Sequence, residues 1–161
     1  MHSSMLAYER FLVAEDDFFV SIDLQQLLEN EGATVFPASS VTHALGRAQT
    51  RALSAAVIDI KPGAEDAEPV CDALSRRQVP FIFYTACPDW LAGRWTAAPF
   101  VSKPAPGPVI VGALKYALSA SKHDLLSPLV EHGRDQNHNA IDQRISMEKN
   151  GLLASHASLL A

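Results

Sequence analysis

The chain has 161 residues, 48% of them hydrophobic and 19% charged, which excludes a disordered polymer and favours one domain with a real core, with room for an extension. A net charge of −5 argues against a nucleic-acid-binding surface, because duplex binding relies on concentrated lysine and arginine. Cys71 and Cys87 form neither a metal-type spacing nor a disulfide framework, so a reducing cytoplasm is the simplest setting. The opening MHSSMLAYER lacks the basic and apolar regions of a leader, and no window approaches the roughly 18 apolar residues of a span; neither secretion nor membrane insertion is expected.

In chain order, FLVAE (11 to 15) reads as a short apolar strand. Val20, Leu24, Leu27 and Leu28 then recur on one helical face, and Gly32 stands where a helix end favours positive φ. ATVFPA (33 to 38) is the second strand. Ser39 or Ser40 caps a second helix whose apolar face is Val41, Ala44, Leu45 and Ala48. AAVIDI (55 to 60), apolar on both faces, reads as a central strand of a parallel sheet. After a turn at Lys61, Pro62 and Gly63, Pro69 opens a third helix with Val70, Ala73 and Leu74 inward.

VPFIFYT (79 to 85) and PFVSK (99 to 103) are the fourth and fifth strands, and the last helix turns Ile110, Leu114, Ala117 and Leu118 to the core. Only 17 residues separate Thr85 from Lys103. That stretch carries Pro88, Gly93, Trp90 and Trp95 without a helical period, so a short fourth helix is expected, with the tryptophans covering the sheet edge. Five such units imply an open, doubly wound α/β sheet over residues 1 to 118. Residues 119 to 161 read as an extension, loop-like at GRDQNHN, with short helices beyond.

Polar residues leave these strands at their carboxyl ends, where ligands bind in open α/β sheets. Glu15 and Asp16 follow the first strand and Asp59 the third, a set of oxygen donors suited to Mg2+, with the Lys61 backbone carbonyl as a further ligand. An aspartate can attack phosphorus if the added charge is neutralised; here the cation, the Thr85 hydroxyl and the Lys103 ammonium supply that. Taken singly, each residue has a duller reading. Asp16 and Asp17 suit an N-cap and a first-turn acid, Asp59 suits a turn cap, Lys103 a solvated strand end, and Phe100 a core aromatic.

In this order, the acidic pair, Asp59, Thr85 and Lys103-Pro104 over residues 8 to 118 resemble the receiver domains of two-component response regulators. The resemblance implies a flavodoxin-like or CheY-like sheet in strand order 2-1-3-4-5. It implies that Glu15 and Asp16 hold Mg2+, and that Asp59 accepts a phosphoryl group from a histidine kinase or phosphotransfer protein. It further implies that Thr85 and Lys103 engage the phosphoryl oxygens, that Phe100 turns inward as a switch with Thr85, and that the Lys103-Pro104 peptide is cis. PFIFYTAC and the short following connection resemble the stand-alone FAT GUY regulators of alphaproteobacteria, with Tyr84 in place of the motif's alanine. Lys61 replaces the asparagine common two positions after the aspartate, and its ammonium is expected to shield the phosphoryl group from water.

A cytoplasmic signalling module follows from this, not an enzyme in the turnover sense, acting through a protein target or as a phosphate sink, without nucleic acid or membrane. Two alternatives stand beside it. One is a receiver-like interaction domain that works without phosphorylation. The other is a phosphohydrolase with an aspartate nucleophile, weakened because haloacid-dehalogenase-like enzymes place a second acid where Lys61 stands.

Overall fold

The computed structural model describes residues 6–59, 67–86, 95 and 98–126, with side chains through residue 121. Five strands, β1 (Arg10–Ala14), β2 (Thr34–Ala38), β3 (Ala55–Ile58), β4 (Phe81–Thr85) and β5 (Phe100–Ser102), alternate with helices α1 (Phe18–Asn30), α2 (Val41–Thr50), α3 (Glu68–Arg76) and α4 (Gly107–Leu126). The strands are all parallel in the order β2-β1-β3-β4-β5. This is the doubly wound, flavodoxin-like sheet expected from the sequence.

Right-handed crossovers put α2 and α3 on one face and α1 and α4 on the other. Between α2, α3 and the sheet lie Leu12, Ile58, Leu74 and Phe83, all fully buried. On the opposite face Phe11, Val57, Ile82 and Leu114 pack with Leu24 and Leu28. Burying each such side chain contributes roughly 1.5–3 kcal/mol. The helical faces inferred from periodicity are the inward ones: Ala44 and Ala48, Val70, Ala73 and Leu74, and Ile110, Leu114, Ala117 and Leu118 are buried. The last helix runs to Leu126, past the composition shift at Ser119.

Local chemistry sets the boundaries. Gly32 has φ 82° and lies against Ala7, so it supplies both the left-handed conformation and the close approach that end α1. Ser40 caps α2, accepting from the His43 N–H at 3.3 Å. At α1 the cap is Asp17, whose Oδ1 accepts from the N–H groups of Phe19 (2.9 Å) and Val20 (3.1 Å). Asp17 is therefore the cap, not a first-turn acid, and Asp16 is released from capping to face the strand ends. Asp17→Ala is expected to destabilise the protein by about 1 kcal/mol through the lost cap, measurable as a lower urea midpoint at unchanged slope.

Phe100 departs from the reading as a core aromatic: it is 49% exposed. β5 is an edge strand of three residues whose burial alternates exposed, buried, exposed, so only Val101 turns inward onto the α1 and α4 layer. Trp95 packs edge-on against Phe81, ring centroids 5.6 Å apart, joining the α2 and α3 layer. The contacts divide the chain after Ser127. The expected reduced fourth helix, Trp90, Cys87, Lys61 and the extension beyond Leu126 fall largely or wholly outside the described residues. Among the described residues no helix is long and apolar enough to cross a membrane.

Candidate metal centre

β1 and β3 are hydrogen-bonded neighbours, and their connections leave to opposite sides of the sheet, which opens a crevice at their carboxyl ends. The ladder continues one residue past each strand: the Glu15 N–H donates to the Ala38 carbonyl (3.0 Å) and the Asp59 N–H to that of Ala14 (2.8 Å). The backbones of both acids are thereby fixed while their side chains emerge at the edge. Carboxylate oxygens of Glu15, Asp16 and Asp59 lie within 4.8 Å of one another.

Lys103 closes this cluster from β5. Its Nζ donates to Glu15 Oε2 at 2.6 Å and to Asp59 Oδ2 at 2.7 Å. The two acceptor side chains are 0% and 7% exposed, against 16% for the lysine. Glu15 Oε1 accepts from the Asp17 N–H at 3.0 Å, so both Glu15 oxygens are engaged. Asp59 differs in having only Oδ2 so held. Thr85 is buried at the end of β4, and its carbonyl accepts the Lys103 N–H at 2.9 Å. The Lys103-Pro104 peptide is cis, as the sequence resemblance implied.

Charge decides what this arrangement accepts. With all three carboxylates ionised, one ammonium leaves a formal charge of −3 + 1 = −2 in a small space that runs from buried Glu15 to exposed Asp16. All donors are hard oxygens, the set that suits a divalent cation such as Mg2+. Burial pushes the Glu15 carboxyl above its usual range, helped by the Asp59 charge and opposed by the hydrogen bonds from Lys103 and Asp17. Burial also works against the Lys103 ammonium, but its hydrogen bonds to Asp59 and Glu15 outweigh that and hold its pKa above the usual lysine value.

The sign of the Glu15 shift gives an expected pH dependence. A carboxyl raised in the folded state adds stability to the metal-free protein at pH below its ordinary value, and that contribution is lost as pH rises through the raised value. A cation requires the ionised form. Thermal stabilisation by Mg2+ should thus be full near pH ~7.5 and fade while the pH is still above the ordinary glutamate range of about 4.3, as read from melting curves with and without the ion. Stabilisation that persists until an ordinary glutamate titrates would remove Glu15 from the cation site.

No family model and no curated protein matches the sequence. Solved structures do match. A response regulator receiver protein from Sinorhizobium medicae superposes with a TM-score of 0.64 at 20% identity, over 71% of this chain and 97% of the other. A CheY-like receiver domain from Methanospirillum hungatei gives 0.65 at 21% identity, over 73% and 99%. The chain has the receiver fold. The receiver domain of a sensor histidine kinase from Pseudomonas aeruginosa, in which a magnesium ion is coordinated in the active-site cleft, gives 0.60 at 20% identity, over 70% and 99%.

On this receiver fold, Glu15, Asp16, Asp59 and Lys103 converge, and Thr85 joins them through the Lys103 backbone. Phe100 does not enter the cluster. It pairs in register with Phe83, two residues before Thr85, so Phe100 and Thr85 face the same side of the sheet. Tyr84 is the residue whose part the sequence concealed. Its ring lies 5.1 Å from Lys103 Nζ, and its hydroxyl oxygen accepts from the Ala105 N–H at 3.4 Å. Tyr84 thus supports both the ammonium and the segment after the cis peptide. An aromatic one residue before a strand-end threonine was the available signal.

Proposed function

We propose that the protein is a phosphoacceptor of a two-component phosphorelay, taking a phosphoryl group on Asp59 with Mg2+ bound by Glu15, Asp16 and Asp59. The observation that carries this reading is the Lys103 ammonium bridging Glu15 and Asp59 at the carboxyl edge of the sheet. Lys103 restrains Asp59 Oδ2, and Oδ1 accepts no hydrogen bond among the described residues. Oδ1 is the nucleophile. It forms a bond to phosphorus as the donor's P–N or P–O bond breaks, and the leaving nitrogen or oxygen keeps that electron pair and takes up a proton. Mg2+, held by Glu15, Asp16 and Asp59, would supply positive charge against the phosphoryl oxygens.

Lys103 and Thr85 then neutralise the acyl phosphate from the β4 and β5 side. The donor is a histidine kinase or phosphotransfer protein. Half-exposed Phe100, sharing a sheet face with Thr85, is the aromatic that turns inward as the Thr85 hydroxyl moves to the phosphoryl group. The resulting change in surface is read by a protein target. FIFYT on β4 and its short connection to β5 support placement among the FAT GUY regulators, with Lys61 shielding the acyl phosphate.

Intact-mass measurement after incubation with Mg2+ and acetyl phosphate tests this reading. One adduct of about 80 Da per chain, the mass of a phosphoryl group, is expected, with only slow loss afterwards. Continuous turnover of a phosphomonoester would instead make the protein a phosphohydrolase. An unmodified mass would leave a receiver-like interaction domain.

A further inference from the structure

All five arginines of the described residues gather at the edge of the sheet opposite Asp59: Arg10 opens β1, Arg47 and Arg51 end α2, and Arg76 and Arg77 end α3. Three are fixed to one another. The guanidinium carbons of Arg10 and Arg51 both lie over the Phe36 ring, at 5.1 and 5.3 Å from its centroid. Arg77 Nη1 donates to the Arg51 carbonyl at 2.8 Å and also to the Ala48 carbonyl. None of the five has a carboxylate within ion-pair reach among the described residues.

Helix dipoles account for part of this, since cations are favoured where α2 and α3 end. They do not account for all of it. α1 ends at the same edge with Glu29, Asn30 and Glu31 and no basic residue in its last turn, so the dipole does not dictate the residues used. Arg10 lies on a strand and caps nothing with its side chain. The fold holds Arg10 and Arg51 on one ring although like charges repel, and it does so on the edge strand of the sheet.

The shared ring determines where the pair sits: both guanidinium carbons lie within cation–π range of Phe36, and each guanidinium presents a fork of N–H donors. Such a fork matches a carboxylate through two parallel hydrogen bonds. The chain as a whole carries −5, a field that disfavours densely charged polyanions. That favours a short-range, geometric contact over nucleic acid or an anionic membrane.

We infer that Arg10 and Arg51, held over Phe36, together with Arg77, which donates to the Arg51 carbonyl, form a docking surface for an acidic segment of a partner protein. It lies at the far end of the strands from the phosphoryl site, so the partner engages a surface separate from the kinase-facing edge. This surface stands whether or not Asp59 is phosphorylated.

Fluorescence anisotropy of the full chain with a labelled octapeptide carrying two adjacent glutamates among serines tests it. The Arg10→Gln and Arg51→Gln double variant should bind about tenfold more weakly, the loss of two charge-assisted contacts. Lys115→Gln, which removes one charge elsewhere, should bind as the wild type. Arg10→Lys with Arg51→Lys keeps the charge, and Phe36→Leu keeps both arginines but removes their platform; each should also weaken binding several-fold. The inference is overturned if the double lysine variant binds as the wild type, which would leave only a diffuse field. It is equally overturned if the glutamine variant loses nothing, or if phosphatidylserine vesicles compete better than the peptide at equal charge.

Discussion

Lys103→Met should lower stability by about 3 kcal/mol at neutral pH, the scale of removing one partner from a buried ion pair, and the melting temperature by roughly 10 °C. The lysine is the single described cation on two nearly inaccessible carboxylates. Methionine keeps most of the aliphatic stem, so the loss reports the charge and its two hydrogen bonds rather than packing. What remains is Glu15 and Asp59 facing Asp16 with no counter-ion. Glu15 already titrates high because it is buried, and without Lys103 it should take up a proton higher still.

The deficit should consequently shrink as the pH falls and Glu15 becomes neutral. Added Mg2+ should recover part of it by supplying the missing positive charge. Thermal melts at two pH values, with and without the ion, give four numbers that must agree in sign. A deficit that is the same at both pH values and indifferent to Mg2+ would mean that Lys103 contributes packing alone.

Asp59→Asn is expected to remove the phosphoryl adduct completely, while Glu15→Gln should slow its appearance without abolishing it. The difference lies in what each carboxylate has left to give. Glu15 is 2% exposed, with Oε2 held by Lys103 and Oε1 by the Asp17 N–H; it shapes the cation site but has no oxygen free to attack. Asp59 retains one, and asparagine at that position offers no carboxylate nucleophile. Intact masses over a time course separate the two variants. A surviving full adduct in Asp59→Asn would move the acceptor to Asp16 and undo the proposed division of roles.

Much of this architecture was legible along the chain because its signals are local. The helical faces follow from apolar recurrence, a cap at Ser39 or Ser40 from capping chemistry, which the structure resolves to Ser40, and Gly32 from the positive φ at the end of α1. AAVI reads as a central strand since it is apolar on both faces, and β3 is indeed buried on both. The acids and the lysine could be assigned to strand ends because each terminates an apolar run. Their convergence needed the additional inference that β1 and β3 are neighbours.

Other features were decided by packing between distant segments. Whether Asp16 or Asp17 caps α1 depends on where the helix begins, and the structure starts it at Phe18, leaving Asp16 for the cluster. Phe100 looks like a core residue by composition, yet the orientation of a three-residue edge strand leaves it half exposed. Tyr84 acquires its contact with Lys103 only because β4 and β5 lie side by side. The sequence by itself determined the strand and helix pattern and the oxygen-rich strand ends, through periodicity and capping. The tertiary structure alone decided how one ammonium is shared between two carboxylates 44 residues apart and how two arginines come to lie on one ring, because those contacts depend on sheet order and on side-chain direction.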